Sequence, residues 1–296
     1  MPDVSTVHFD AALTNLSLAY RNTGHIAREI APEVAVRRQS DRYFIHDSER
    51  DAFRQTHDGR APGAEASEVD FRLSSDSYFC DDHALESVIP DEERANADAP
   101  LQPEADRVEF LTDKILLNQE IALAARLRAA GAIPGVDLAS PDAQWDDDTV
   151  DPFDQIEAGR AAVLQAAHVL PNTLVLPFAV YTALRNHPKV TGRVSAAARA
   201  VVVPGTLAEL FDVERVLVAR TMQNTSAPGQ PAAMSPVWGR DAILMHVPAR
   251  PGLKTVAPVL TFVWSHATGA LRGHAVQSWR EERRKATMIR VQKYYE

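Results

Sequence analysis

The sequence predicts an α+β fold, and three observations carry the prediction. One unbroken helical pattern runs from Pro103 to about Ala130, an α/β stretch follows it, and the C-terminal part of the chain turns to strands. The long pattern opens with Pro103 in its first turn, has Glu104, Asp106, Glu109 and Asp113 early and Arg126 and Arg128 late, and is stopped by Gly131 and Pro134. That order of charges complements the helix dipole. At ~1.5 Å per residue such a helix is roughly 40 Å long. Its apolar residues Val108, Leu111, Ile115, Leu116, Leu117, Ile121 and Leu123 form a stripe too wide for one contact face, so the helix is expected to be covered on more than one side.

After an acidic loop from Trp145 to Asp151, the pair Asp151-Pro152 starts a helix that reaches about His168. Thr173–Leu176 reads as a short buried strand, Phe178–Asn186 as a helix, Thr206 as the cap of a short helix through Leu210, and Arg215–Ala219 as a strand. Thr221–Pro236, rich in Gln, Asn, Ser, Pro and Gly, reads as a loop. The segments AILMHV, PVLTFVWS, AVQSWREER and TMIRVQKYY complete the chain as strands.

The N-terminal part is of another kind. Residues 1–45 hold Tyr20, Ile26, Ile30, Pro32, Val34 and Val36 with little helical order, which suits an extended arm that packs on a surface outside itself. Residues 46–68 are polar, with Gly59, Pro62 and Gly63 as turn formers. VDFRLSSDSYF then alternates Val69, Phe71 and Leu73 with Asp70, Arg72 and Ser74, the pattern of a half-buried strand. Together these predict a long two-stranded loop that, like the arm, is not packed on its own subunit's core.

A chain of 296 residues with 45% hydrophobic residues supports one large core or two modest ones. Cys80 is the only cysteine, which excludes an internal disulfide and a cysteine-based zinc cluster and suits a reducing cytosol. MPDVSTVHFD has no basic flank followed by an apolar stretch, and no apolar run approaches membrane-spanning length. The net charge of -9 divides unevenly. Residues 1–150 carry 30 acids against 14 bases, and residues 151–296 carry 10 acids against 17 bases. The halves should attract, within one subunit or between copies. No dominant basic patch points to sequence-specific nucleic-acid binding.

Candidate chemistry is thin. Cys80, Asp81, Asp82 and His83 with Glu86 are metal-ligand types, and on a helix His83 and Glu86 would share a face, although an acidic turn is the simpler reading. Asp146, Asp147, Asp148 and Asp151 lack the spacing and central glycine of a calcium loop. There is no G-x-S-x-G, P-loop or G-x-G-x-x-G at a strand-to-helix turn, so no catalytic residue, cofactor site or metal site is assigned.

The order of parts, with RAPGAEASEVDFRLSSDSYFCDDHALESVIPDEERANADAP, PNTLVLPFAVYTALRNHPKV, GTLAELFDVERVLVA and WREERRKATMIRVQKYYE, resembles tailed-bacteriophage major capsid proteins of the Hong Kong 97-type capsid fold. The resemblance implies an N-terminal arm at 1–45, an extended loop at 46–80, and a peripheral domain at 81–134 with a spine helix at 103–130. An axial domain at 135–254 and C-terminal strands of the peripheral domain at 255–296 would follow. It implies a structural head protein without enzymatic activity that self-assembles as pentamers and hexamers into an icosahedral shell. That shell would be made in the host bacterial cytoplasm and would enclose double-stranded DNA without sequence specificity and without a membrane. Because the arm-like sequence starts near Met1, the scaffolding protein is expected to be separate, alongside a portal. Subunit interfaces are expected at Arg50, Phe53, Arg54, Arg60, Glu109, Asp113, Arg280 and Arg283. Crosslinking members of the family use a loop lysine, a neighbour's asparagine and a glutamate. Here the first lysine is Lys114, and the arm and loop carry arginines alone as long cations, which cannot act as that nucleophile. The alternatives are an encapsulin-type nanocompartment shell and, from another class, a cytosolic enzyme or metal-binding protein.

Overall fold

The computed structural model describes residues 8–9, 13–14, 17, 24–45, 55, 58–63, 65–68, 74–98, 101–129, 144–194, 202–253, 255, 257–265 and 274–296. Along the chain come strand β1 (His8–Phe9), a one-turn helix α1 (Ala27–Ile30), β2 (Glu33–Val36), β3 (Ser40–Ile45), β4 (Ser74–Phe79) and β5 (Asp81–Pro90). Next are the short α2 (Asp91–Ala95) and the long α3 (Pro103–Arg128). An α/β unit follows: α4 (Pro152–Ala167), β6 (Thr173–Pro177), α5 (Phe178–Asn186), α6 (Pro188–Arg193), α7 (Pro204–Leu210) and β7 (Arg215–Ala219). A small hairpin β8 (Met222–Asn224) and β9 (Met234–Pro236), then β10 (Ile243–Met245), β11 (Thr261–Trp264), β12 (His274–Glu281) and β13 (Ala286–Tyr295) close the chain.

The larger sheet is organised by β13. It pairs antiparallel with β12 from Lys293 opposite His274 to Ala286 opposite Glu281, and on its other edge with β5 from Tyr295 opposite Asp81 to Ala286 opposite Pro90. β11 joins through Val263 opposite Tyr295 and runs parallel to β2. The second sheet has order β10-β6-β7, with every residue of β6 buried, which is why Thr173–Pro177 reads as an apolar run without alternation. Asp151 accepts a hydrogen bond from the Phe153 amide at 3.0 Å and so starts α4, as the sequence predicts.

Helix α3 serves two cores. Val108, Leu111 and Ile115 in its first half pack with Ile89, Val276, Ile289 and Val291 of the larger sheet. Ala124 in its second half, flanked by Leu117, Ile121, Leu123 and Leu127, packs with Ile26, Ile30, Val175, Ala219, Val237, Trp238, Met245 and Val247. The wide apolar stripe is therefore two stripes that follow each other around the helix. A third core, built on Phe153, Leu174, Leu176, Leu184, Leu207 and Phe211, lies within the α/β unit.

The structure departs from the sequence reading at five places. Ile26, Ile30, Val34 and Val36 are buried in their own chain, so residues 24–36 belong to the core and not to a detached arm. The ribbon strand facing β4 is β3, inside the segment read as arm; Val69, Phe71 and Leu73 lie outside the described residues. The acidic stretch after Cys80 is a ten-residue strand, not a turn. Thr206 lies inside α7, which begins with Pro204 at its first position because proline there costs no hydrogen bond. The loop Thr221–Pro236 carries a short hairpin at its base. In the polar excursion, residues 55, 58–63 and 65–68 are all exposed. Among the described residues no helix is long and apolar enough to cross a membrane.

Candidate functional site

The middle of α3 carries two buried polar residues in succession, Gln119 and Glu120, and each ties down a different part of the chain. The Glu120 carboxylate accepts hydrogen bonds from the amides of Ile26 (3.1 Å) and Ala27 (2.7 Å), from Trp238 Nε1 (2.6 Å) and from Thr221 Oγ1 (3.4 Å). It thereby supplies α1, a helix of one turn that lacks a side-chain cap of its own, with acceptors for its otherwise orphaned N-terminal amides. Gln119 Oε1 accepts from Lys293 Nζ at 3.1 Å, and the same ammonium donates to Glu33 Oε1 at 2.7 Å. Arg28 lies 3.2 Å from Glu33 and 2.8 Å from His274 Nε2.

Burial dominates the electrostatics of this cluster. Lys293 is fully buried, and desolvation, assisted by nearby Arg28 and opposed by Glu33, pulls its pKa down to about 8. His274 is held well below its ordinary value by burial first, then by Lys293 and Arg28. It is neutral, so Nε2 accepts from Arg28 and the proton sits on Nδ1, which has no hydrogen-bond partner. Helix α3 thus fastens the N-terminal segment, the C-terminal strand and the turn before β8 with hydrogen bonds that all converge on two adjacent side chains.

On the surface, the β3–β4 ribbon is two-faced. Tyr43 and Tyr78 stack on Phe262 at 5.3 and 4.7 Å between ring centroids, and Glu296 accepts from the Phe79 amide at 2.5 Å, so the base of the ribbon is anchored. The other face carries Arg42, Phe44 and Phe79, with Phe44 41% and Phe79 52% exposed. On α3, Phe110 is 54% exposed beside the acids Asp106, Glu109 and Asp113.

The residues singled out as interfacial fall in different places. Arg50, Phe53 and Arg54 lie outside the described residues. Arg60 is exposed in the polar excursion, and Arg283 is exposed in the 3-10 turn between β12 and β13. Glu109 and Asp113 are half-buried on α3, and Asp113 accepts from His25 Nε2 at 3.2 Å. Arg280 grips Asp91 of its own chain with both guanidinium nitrogens, Nη2 to Oδ2 at 2.6 Å, which raises the Arg280 pKa and lowers that of Asp91. Glu86 with Arg290 and Glu33 with Lys293 likewise join the acidic half of the sequence to the basic half within one subunit.

The candidate metal residues are absorbed by structure. His83 and Glu86 lie on opposite faces of β5, Asp82 accepts from Gln292 Nε2, and Glu86 is paired with Arg290. Asp147 accepts from the amide and hydroxyl of Thr149. Cys80 is buried, and desolvation lifts its thiol to about 11. The polar residues of the junction, Glu33, Gln119, Glu120, His274 and Lys293, escaped the sequence reading. Their signal was present as polar residues breaking an apolar stripe and as a lysine between strand residues, but a surface position explains either pattern equally well.

A two-sided spine helix, a ribbon anchored at one end, a sheet of C-terminal strands and a separate α/β unit define a class: this is the Hong Kong 97-type capsid fold. In sequence the chain is similar to phage major capsid proteins. It is 28% identical to the major capsid protein of Pseudomonas phage JBD67, over 80% of this chain and 76% of that one. It is 26% identical to the major capsid protein of Burkholderia phage BcepMu, over 82% of this chain and 78% of that one. Among solved structures, a phage-related protein of Bordetella bronchiseptica RB50 superposes with a TM-score of 0.73 at 22% identity, covering 97% of this chain and 92% of that one. The mature capsid of bacteriophage PhiM1 gives 0.54 at 13% identity, over 93% and 83% of the two chains. A virus-like particle from Pyrococcus furiosus gives 0.53 at 12% identity, over 97% and 91%. No protein-family model matches the chain.

Glu120→Ala leaves three buried donors, the amides of Ile26 and Ala27 and the indole of Trp238, without their acceptor and should destabilise the folded subunit by about 3–5 kcal/mol, read as a lower urea midpoint. Stability should also fall in acid. The folded His274 binds its proton only well below 6.5, whereas the unfolded side chain takes it up near 6.5, so folding loses free energy as pH drops through that value. His83, lowered by burial, acts with the same sign. His274→Gln, which keeps an acceptor for Arg28, should flatten the decline of melting temperature between about pH 6.5 and 5; an unchanged slope would show that His274 is not its source.

Proposed function

We propose that this chain is the major shell subunit of a tailed-phage head, carrying no catalysis of its own and acting by self-assembly. The observation that supports this most strongly is the similarity to two phage major capsid proteins over about four-fifths of the chain, together with the capsid fold. An enclosed compartment of the encapsulin type has the second claim, because the fold alone matches the Pyrococcus virus-like particle nearly as well as the PhiM1 capsid. The sequence relatives favour the phage reading.

In the shell, the outer ribbon face with Arg42, Phe44 and Phe79 meets a neighbouring subunit, as do Arg50, Phe53, Arg54 and Arg60 of the loop. The exposed Phe110, with Glu109 and Asp113 beside it and Lys114 Nζ 5.6 Å over its ring, offers an apolar centre with a charged rim to such a basic and aromatic ribbon. Arg280, engaged with Asp91, shapes the edge of the sheet, and Arg283 next to it faces outward to a neighbour. Pentamers and hexamers of the subunit, a separate scaffolding protein, a portal and packaged double-stranded DNA complete the reading, with the shell located in the virion after synthesis in the host cytoplasm.

Negative-stain microscopy of the purified protein, alone and co-expressed with a candidate scaffolding protein, should show closed isometric shells. A stable monomer or dimer in both preparations would overturn the assignment, and shells filled with one enzyme in place of nucleic acid would move it to the nanocompartment. Shells boiled in detergent under reducing conditions should run as a single band near 32.5 kDa, since no lysine precedes Lys114. A ladder of covalent multimers would contradict this.

A further inference from the structure

Lys293 is the only fully buried lysine among the described residues, and its surroundings are those of a reactive amine. Its Nζ lies 2.7 Å from the Glu33 carboxylate and 3.1 Å from the amide oxygen of Gln119, so the carbonyl carbon of Gln119 is one bond beyond an existing contact. Gln119 is itself 5% exposed, and the Tyr295 ring stands 5.1 Å from Nζ, so bulk water does not compete for that carbon. The groups facing Nζ come from several elements: Glu33 of β2, Arg28 of α1, His274 of β12, His83 of β5 and Gln119 of α3. Arg28 and the cost of burial ease the proton off the amine, and Glu33 is placed to receive it.

From this arrangement we infer that Lys293 and Gln119 become joined by an isopeptide bond within one subunit, with Glu33 as the proton carrier. Lys293 gives its ammonium proton to Glu33, and the neutral amine adds to Cδ of Gln119. Glu33 passes the proton to the carboxamide nitrogen and takes one from the attacking nitrogen as the adduct collapses. The new Nζ–Cδ bond forms, the Cδ–Nε2 bond breaks, and the ammonium charge of Lys293 leaves as an ammonium ion, so atoms and charge balance. The product stitches the spine helix to the central strand β13. It lies inside one chain and adds no covalent multimer, and it stands or falls independently of the shell reading.

The test is the intact mass of the full-length protein after incubation somewhat above pH 8, where the amine is largely neutral. A subunit lighter than its sequence by one ammonia, about 17 Da, is expected. After trypsin, the segments 115–126 and 291–296 should appear as one branched peptide, uncut after Lys293. Glu33→Gln, which keeps the shape of the site and removes the proton carrier, should show the full sequence mass, as should Lys293→Arg. An unmodified mass for the native protein, with cleavage after Lys293, would overturn the inference whether or not either variant folds. Mass loss that persists in Glu33→Gln would remove Glu33 from the mechanism.

Discussion

Gln119 and Glu120 sit at the point where α3 passes from one core to the other, and the fold depends on what they hold. An apolar helix face tolerates small slides along a sheet, because one aliphatic contact replaces another at modest cost. A buried carboxylate does not. Displaced by one residue, Glu120 would lose the amides of Ile26 and Ala27 and the indole of Trp238 together, and an unpaired charge in that environment costs several kcal/mol. The neighbouring Gln119 applies the same constraint to β13 through Lys293. The register of the helix against the larger sheet and its register against the α/β unit are therefore set at adjacent residues.

That arrangement has a consequence for a subunit that must join others. The two cores on either side of the junction are held to one helix, while the ribbon is anchored at its base by Tyr43, Tyr78 and Phe262 and presents Phe44 and Phe79 outward. In the proposed shell, a rigid spine with an apolar ribbon face would give assembly a fixed lever and a sticky contact without further folding. The division of charge along the sequence is spent in part at home: Asp91 with Arg280, Glu86 with Arg290 and Glu33 with Lys293 are pairs between the halves inside one chain. Of these, only Glu33 with Lys293 is substantially shielded from water; the other two are half-exposed and contribute more to orientation than to stability.

The junction also carries a cost. His274 is buried neutral with one nitrogen proton unpartnered, and burial pulls the Lys293 pKa down to about 8, so the cluster carries desolvation costs that an apolar packing would not. What it provides is specificity of register, with Arg28, Glu33, Lys293 and Gln119 forming one connected set from α1 to β13.

What was legible in the sequence follows from local rules. Pro103 and the graded charges marked the ends of α3, Asp151-Pro152 started α4, and the apolar run Thr173–Leu176 announced a doubly covered strand, because capping, dipole and periodicity act within a few residues. The resemblance to capsid proteins was legible too, since it rested on the order of these elements and on the wording of four segments of the chain. Tertiary structure alone decided the rest. Asp81–Pro90 reads as an acidic turn until β13 pairs with it along its whole length, and residues 24–36 read as a loose arm until Glu120 and β11 supply their partners. Lys293 in a strand and Glu120 in a helix are ordinary surface residues by composition. Only distant parts of the chain, arriving from nearly a hundred residues away or more, make them the buried junction of the fold, and no local pattern encodes a contact whose energy depends on excluding water from both sides.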